Sequence, residues 1–105
     1  MPHTPGPWKC CKQPHPRIEH LTGYAIYGGD GTIADIFPEP YPVHVSEANA
    51  RLIAAAPELL ESLIEAEHAI TRQIYHDDLP DDDTHPLAKT RRMLRAAIAK
   101  AEGRN

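Results

Sequence analysis

The chain is short of the aromatic side chains that fill many small cores. Its 105 residues include one Trp and one Phe, although hydrophobic residues as a whole make up 41%. A chain of this length buries roughly 60 to 70% of its unfolded surface and builds one modest core. We therefore expect a single domain over residues 1–105 that supplements its core by forming a homo-oligomer, either a dimer or a higher assembly.

Long apolar runs are also missing. No stretch approaches the ~20 apolar residues that span a bilayer, and the N-terminus lacks the basic start and apolar centre of a signal peptide. These absences predict a cytoplasmic protein with no membrane partner. The net charge of −4 argues against nucleic acid as a partner. The two cysteines, Cys10 and Cys11, are adjacent and so indicate free thiols instead of a disulfide framework or a structural zinc site.

The motifs that carry catalysis or hold a metal are absent as well. Glu65 and His68 have the Glu-x-x-His spacing of di-iron bundles, but such sites need a second copy, so a solvated helix face is favoured. The acidic stretch 77–83 does not place Gly and Glu at the sixth and twelfth positions of a calcium loop. No Ser or Cys has a recognisable general base beside it. We predict no catalytic residue, no metal and no cofactor, and hence a protein that is not an enzyme.

The sequence does contain a strongly periodic C-terminal half. Apolar residues from Leu59 to Ile74 recur every three or four positions, which predicts an amphipathic helix. Pro57 fits only the first turn of that helix, and Ser46 is suited to cap the N-terminus of a preceding one. The predicted segments are helices over 46–55 and 57–77 with a corner at Pro57, an acidic loop over 78–85 and a final helix over 86–102.

The N-terminal half has the pattern of a small sheet. Three prolines within residues 1–7 predict an extended arm. Two β-rich runs at 24–27 and 32–37 flank a glycine-rich turn, which predicts a hairpin. A strand from Trp8 to Lys12 is expected to end at the prolines of 13–16, before an extended path over Arg17–His20.

The predicted fold class is therefore α+β. A small N-terminal antiparallel sheet over 8–37 is followed by a helical hairpin of two long helices. Acidic residues dominate the first long helix and basic residues the second, so antiparallel packing would place opposite charges side by side.

Arginines on the last predicted helix form the strongest candidate site. Arg91 and Arg95 are one turn apart on the same side, with Arg92 beside them, so their guanidinium groups could converge on an anion such as a phosphate. An alternative stays open, in which these arginines form salt bridges to the acidic helix. The acids expected in that case are Glu58, Glu61 and Glu65.

Two stretches of the chain resemble small phage and prophage proteins. They are His-Thr-Pro-Gly-Pro-Trp at 3–8 and the run from Asn49 to Leu60, which reads NARLIAAAPELL. The order of a small N-terminal sheet and a long helical hairpin is similar to that of the phage anti-Thoeris sponge proteins. Those proteins form oligomers and sequester cyclic nucleotide immune signals without cleaving them, and arginines of their last helix contribute to phosphate binding.

The resemblance implies a phage anti-defence protein in the cytoplasm of a bacterial host. Its implied partner is a nucleotide-like small molecule, held in a cleft between helices of an oligomer. Arg91, Arg92 and Arg95 would bind the phosphates, and an aromatic ring would stack on the base. The candidate rings are Trp8, Tyr24 and Tyr27. The alternative from another functional class is an acidic inhibitor that mimics nucleic acid with residues such as 77–83 and blocks a host enzyme.

Overall fold

The computed structural model describes residues 3–14, 22–29, 31–37, 43–82 and 84–104, and it confirms the predicted α+β class. Three antiparallel strands form a sheet in the order β1-β2-β3, and three helices follow. The chain divides into two compact units, one containing His3–Glu58 and the other beginning at Leu59. The expectation of a single domain stays a prediction.

The elements are β1 (Lys9–Pro14), β2 (Thr22–Gly28), β3 (Gly31–Ile36), α1 (Val43–Ala54), α2 (Ala56–His76) and α3 (Pro86–Ala101).

The central strand β2 supplies most of the core of the first unit. Tyr24, Ile26 and Ala50 of α1 form a buried cluster, against which parts of β1, β3 and α1 pack. β1 continues to Pro14, beyond the predicted end at Lys12. This extension is tolerated because β1 lies at the edge of the sheet and Pro14 is its last residue, where a missing N–H costs little. The predicted extended path over Arg17–His20 lies outside the described residues.

The first helix begins earlier than the sequence predicted. α1 starts at Val43, so Ser46 lies inside the helix and is not its N-cap. Ser46 is buried, and its hydroxyl donates a hydrogen bond to the Phe37 carbonyl at 3.4 Å. The hydroxyl that suited a cap is used instead to satisfy a backbone acceptor at the end of β3.

The N-terminal segment packs against the start of α2 within the same unit. The Gly6–Pro7 peptide bond is cis. A Cβ at Gly6 would lie 2.9 Å from the Cβ of Pro57, which occupies the first turn of α2. The Trp8 indole N–H donates to the Thr4 carbonyl at 3.0 Å. The two stretches quoted for the phage resemblance are therefore in direct contact.

The second unit consists of most of α2, a connecting loop and α3. Ile74, Ala88 and Ile98 are buried there, whereas Tyr75 and Met93 are exposed. His85 caps α3 by accepting the Leu87 N–H at 3.1 Å. No helix in the described part of the chain is both long and apolar enough to cross a membrane.

Candidate functional site

The three predicted arginines line one depression on the second unit. The depression has a volume of about 300 Å³, and its lining residues are Asp81, Asp82, Ala88, Arg91, Arg92 and Arg95. All three arginines lie on α3 within five consecutive positions, so a helical turn brings them to the same side. The structure adds two aspartates from the preceding loop, Asp81 and Asp82, which the sequence analysis did not place at this site.

Arg91 is the buried member of this group. Its side chain is 7% exposed, and its Nη2 donates to the Asp81 carboxylate. Nη1 is buried and has no hydrogen-bond partner among the described residues. The bond to Asp81 raises the pKa of Arg91, burial opposes that rise, and the nearby Tyr75 hydroxyl adds a smaller favourable effect without satisfying Nη1. A buried guanidinium with an unsatisfied N–H is a ready partner for an additional anion.

Glu67 holds one nitrogen atom of the Arg95 guanidinium group, the Nε. This Nε donates to Glu67 Oε1 at 2.7 Å, and the Arg95 side chain is 55% exposed. The Thr71 hydroxyl donates to the same Glu67 oxygen at 3.0 Å. The Arg95 hydrogen bond, supported by Thr71, holds the pKa of Glu67 below its usual range against the opposing effect of burial. The two Nη atoms of Arg95 make no hydrogen bond to the described residues and remain available to a ligand.

Arg95 forms a salt bridge to the acidic helix, as the alternative expected, but its partner on α2 is Glu67. Arg91 pairs with Asp81 of the loop before α3, which is not part of that helix. The expected partners Glu58, Glu61 and Glu65 are exposed and form no ion pair with the described residues. Glu67 differs because it lies seven residues before the buried Ile74 and so shares its face of α2. An acid at an apolar-face position was the signal in the sequence that could have identified Glu67.

A second, larger cleft adjoins Arg95. It measures about 590 Å³, and its apolar lining comes from Ile64, Ile98 and Ala99. Its two arginines, Arg95 and Arg104, are paired with its two glutamates, Glu67 and Glu102. Because Arg95 lines both hollows, a ligand with a charged group and an apolar ring could occupy them together.

The predicted stacking aromatics all belong to the first unit, and one of them is unavailable. Tyr24 is 4% exposed, and its hydroxyl donates to Glu47 at 3.4 Å, so its ring is part of the core and is not open to a ligand. Burial, followed by the Glu47 carboxylate, raises the pKa of Tyr24. Trp8 is half-buried. Tyr27 is the most exposed of the three, with 42% of its surface accessible to solvent. A stacking role for Tyr27 stays a prediction.

The described residues hold no group of three or more His, Cys, Asp or Glu side chains placed to bind a metal ion. Cys10 is partly buried, and this burial, with the neighbouring Cys11, raises the pKa of its thiol. A raised pKa keeps the thiol protonated and unreactive at neutral pH.

Comparison with known proteins gives one result. No curated protein and no solved structure matches the chain. A sequence model of one protein family does match, and the match covers residues 1–105. This match confirms the phage character that the stretches at 3–8 and 49–60 indicated. The chain belongs to the family described as Salmonella phage P22 protein Y8K6.

Proposed function

We propose that this phage-family protein binds the phosphate group of a nucleotide-type small molecule in the depression lined by Arg91, Arg92 and Arg95. The observation that carries the proposal is the buried Nη1 of Arg91, which has no partner among the described residues. Burying an unsatisfied donor of a charged group is costly, and an anion in the depression would remove that cost.

The remaining geometry suits recognition of a phosphate. Glu67 holds the Nε of Arg95, and the two Nη atoms make no hydrogen bond to the described residues, so the guanidinium is oriented before a ligand arrives. Guanidinium groups bind phosphate oxygens in pairs, which gives both strength and orientation. The cleft of about 590 Å³ beyond Arg95 offers apolar surface for a base or a sugar.

The biological role we propose is sequestration of an immune signal. Membership of a phage family agrees with an anti-defence role, and the similarity to anti-Thoeris sponges names cyclic nucleotides such as cyclic ADP-ribose isomers as the ligand class. The proposed activity is binding alone, as in the anti-Thoeris sponges to which the chain is similar. The ligand would be held and released unchanged.

The alternative role of acidic mimicry is less well supported by the loop that precedes α3. Several of its aspartates accept hydrogen bonds from other groups of the protein. Asp81 accepts from Arg91, Asp82 from Thr84, and Asp77 from Gln73 and His76. A nucleic-acid mimic needs its carboxylates free to meet a basic partner surface.

A calorimetric titration with AMP, ADP and cyclic ADP-ribose tests the proposed function. We expect at least one of them to bind, and Arg92→Ala to weaken that binding by about 10-fold to 100-fold, the range for a lost charged hydrogen bond. Lys100→Ala is the matched control. It removes the same charge from α3 at an exposed position about 12 Å from Arg92 along the helix, by the 1.5 Å rise per residue. At that distance salt screens most of its influence.

Equal losses for the two variants would show a diffuse charge effect and contradict a site at the depression. Failure of every nucleotide to bind the unmodified protein would leave the acidic-inhibitor role as the better explanation.

A further inference from the structure

The depression already contains an anion, which is the carboxylate of Asp81. It accepts a hydrogen bond from Nη2 of the buried Arg91 and leaves Nη1 unsatisfied. Carboxylate and phosphate oxygens compete for the same guanidinium donors. We propose that Asp81 occupies the place of the ligand phosphate and restricts the site to groups that carry two negative charges, namely phosphomonoesters and pyrophosphates. This inference rests on the proposed function.

Competition for the Arg91 guanidinium explains the restriction, because Asp81 already supplies it with one carboxylate. A ligand with a single negative charge offers Arg91 no more than Asp81 already supplies, and it must also approach Asp82. A phosphomonoester carries about −1.5 to −2 charges at pH 7 and therefore outcompetes one carboxylate. Its three terminal oxygens can also satisfy Nη1 and Nη2 of Arg91 together, which the present contact does not.

The Asp81 side chain is placed so that it can move away from Arg91 when a ligand binds. It is 58% exposed, so a displaced carboxylate would enter solvent directly. Among the described residues its carboxylate accepts a hydrogen bond from Arg91 alone, whereas Asp82 accepts from the Thr84 N–H at 3.0 Å and from the Thr84 hydroxyl. A rotation of the Asp81 side chain would therefore free Arg91 without disturbing the turn that Asp82 stabilises.

The first test compares two ligands that differ in one charge. AMP and 3′,5′-cyclic AMP share base, sugar and a single phosphorus, but the cyclic diester has only one negative charge. We expect the unmodified protein to bind AMP at least about 10-fold more tightly, which corresponds to roughly 1.4 kcal/mol. Equal affinities would overturn the inference while leaving the proposed function intact.

The second test removes the negative charge of Asp81, which competes with the ligand for Arg91. Asp81→Asn should bind cyclic AMP about 10-fold more tightly than the unmodified protein and should narrow its preference for AMP, because a neutral amide competes weakly with an anion. At the same time its thermal midpoint without ligand should fall, since buried Arg91 loses its charged partner. A stability loss accompanied by a gain in affinity is the pattern that a merely structural aspartate would not give.

Asp78→Asn is the matched control. Asp78 is exposed, lies in the same loop and has a positive φ of 50°, a conformation that Asn adopts readily. It removes the same charge without touching Arg91, so the affinity should change by less than about 3-fold. Equal gains in the two variants would show bulk electrostatics and overturn the role of Asp81. If neither the unmodified protein nor Asp81→Asn binds AMP or cyclic AMP but the unmodified protein binds ADP or cyclic ADP-ribose, the inference about phosphomonoesters is wrong and the proposed function stands. If no nucleotide binds the unmodified protein, the proposed function itself is wrong and the inference falls with it.

Discussion

Glu67 is a buried carboxylate that accepts hydrogen bonds from two neighbours, Arg95 and Thr71. At the scale of single residues, this makes Arg95 a structural residue as well as a candidate ligand contact. We expect Arg95→Ala to lower the free energy of unfolding by about 1 to 3 kcal/mol, because a buried acceptor loses its charged donor. Urea denaturation measures the change directly.

The control for this substitution is Arg51→Ala. Arg51 also pairs with a glutamate, Glu47, but it is exposed, so its loss should cost less than about 1 kcal/mol. Similar losses of unfolding free energy in the two variants would show that the Arg95–Glu67 pair stabilises the protein no more than an exposed pair does.

The depressed pKa of Glu67 gives a second prediction, about pH. A carboxylate whose pKa is lower in the folded state contributes stability that is fully present above its unfolded pKa of about 4.3. That contribution is lost as the pH falls through the lower folded value. Glu67→Gln should therefore be less stable than the unmodified protein at pH 7, and the difference should shrink towards pH 3. A difference that stays constant with pH would contradict this origin.

At the residue scale the sequence identified the arginines but not their partners. Their spacing on one helix predicted that Arg91, Arg92 and Arg95 would converge, and they line one depression. Their acids could not be read from charge counts, because exposed and buried glutamates of α2 look alike in a list of charges. The position of Glu67, seven residues before Ile74 on the predicted apolar face, is what distinguishes it from the exposed glutamates.

At the scale of elements, the close approach of Trp8 to Gly28 of β2 defines how the N-terminal segment packs on the sheet. A Cβ at Gly28 would overlap Trp8 Cδ1 and lie 2.9 Å from its Nε1. We expect Gly28→Ala to destabilise the protein by about 1 to 3 kcal/mol, as overpacking does. Gly31→Ala in β3 is the control, because a Cβ there meets no atom of the described residues within 4 Å. Equal stability of the two variants in guanidinium chloride would refute this packing.

Element types were predictable where a local pattern decided them. The glycine-rich turn between β2 and β3 and the apolar periodicity of α2 both depend on neighbouring residues in the chain. The start of α1 was not predictable in this way. Ser46 has the chemistry of a cap, and its use inside the helix depends on the Phe37 carbonyl, nine residues earlier.

At the scale of the whole molecule, the prediction of a homo-oligomer is still to be tested. Leu59 and Tyr75 of α2 and Met93 of α3 are exposed apolar residues, and covering such surface favours association. Light scattering at micromolar concentration should give a mass at least twice the 11.7 kDa of one chain. A mass of one chain would contradict the prediction and would also remove the cleft between subunits that the anti-Thoeris resemblance implies.

The packing of Trp8 has a consequence for spectroscopy. Trp8 is the only tryptophan in the chain and belongs to the first compact unit, whereas α3 and nearly all of the 21-residue α2 belong to the second. Indole emission therefore reports on one unit, while circular dichroism at 222 nm is dominated by helices of the other. Overlaying the two optical melting curves shows whether the units lose their structure in one cooperative step, as a single domain would.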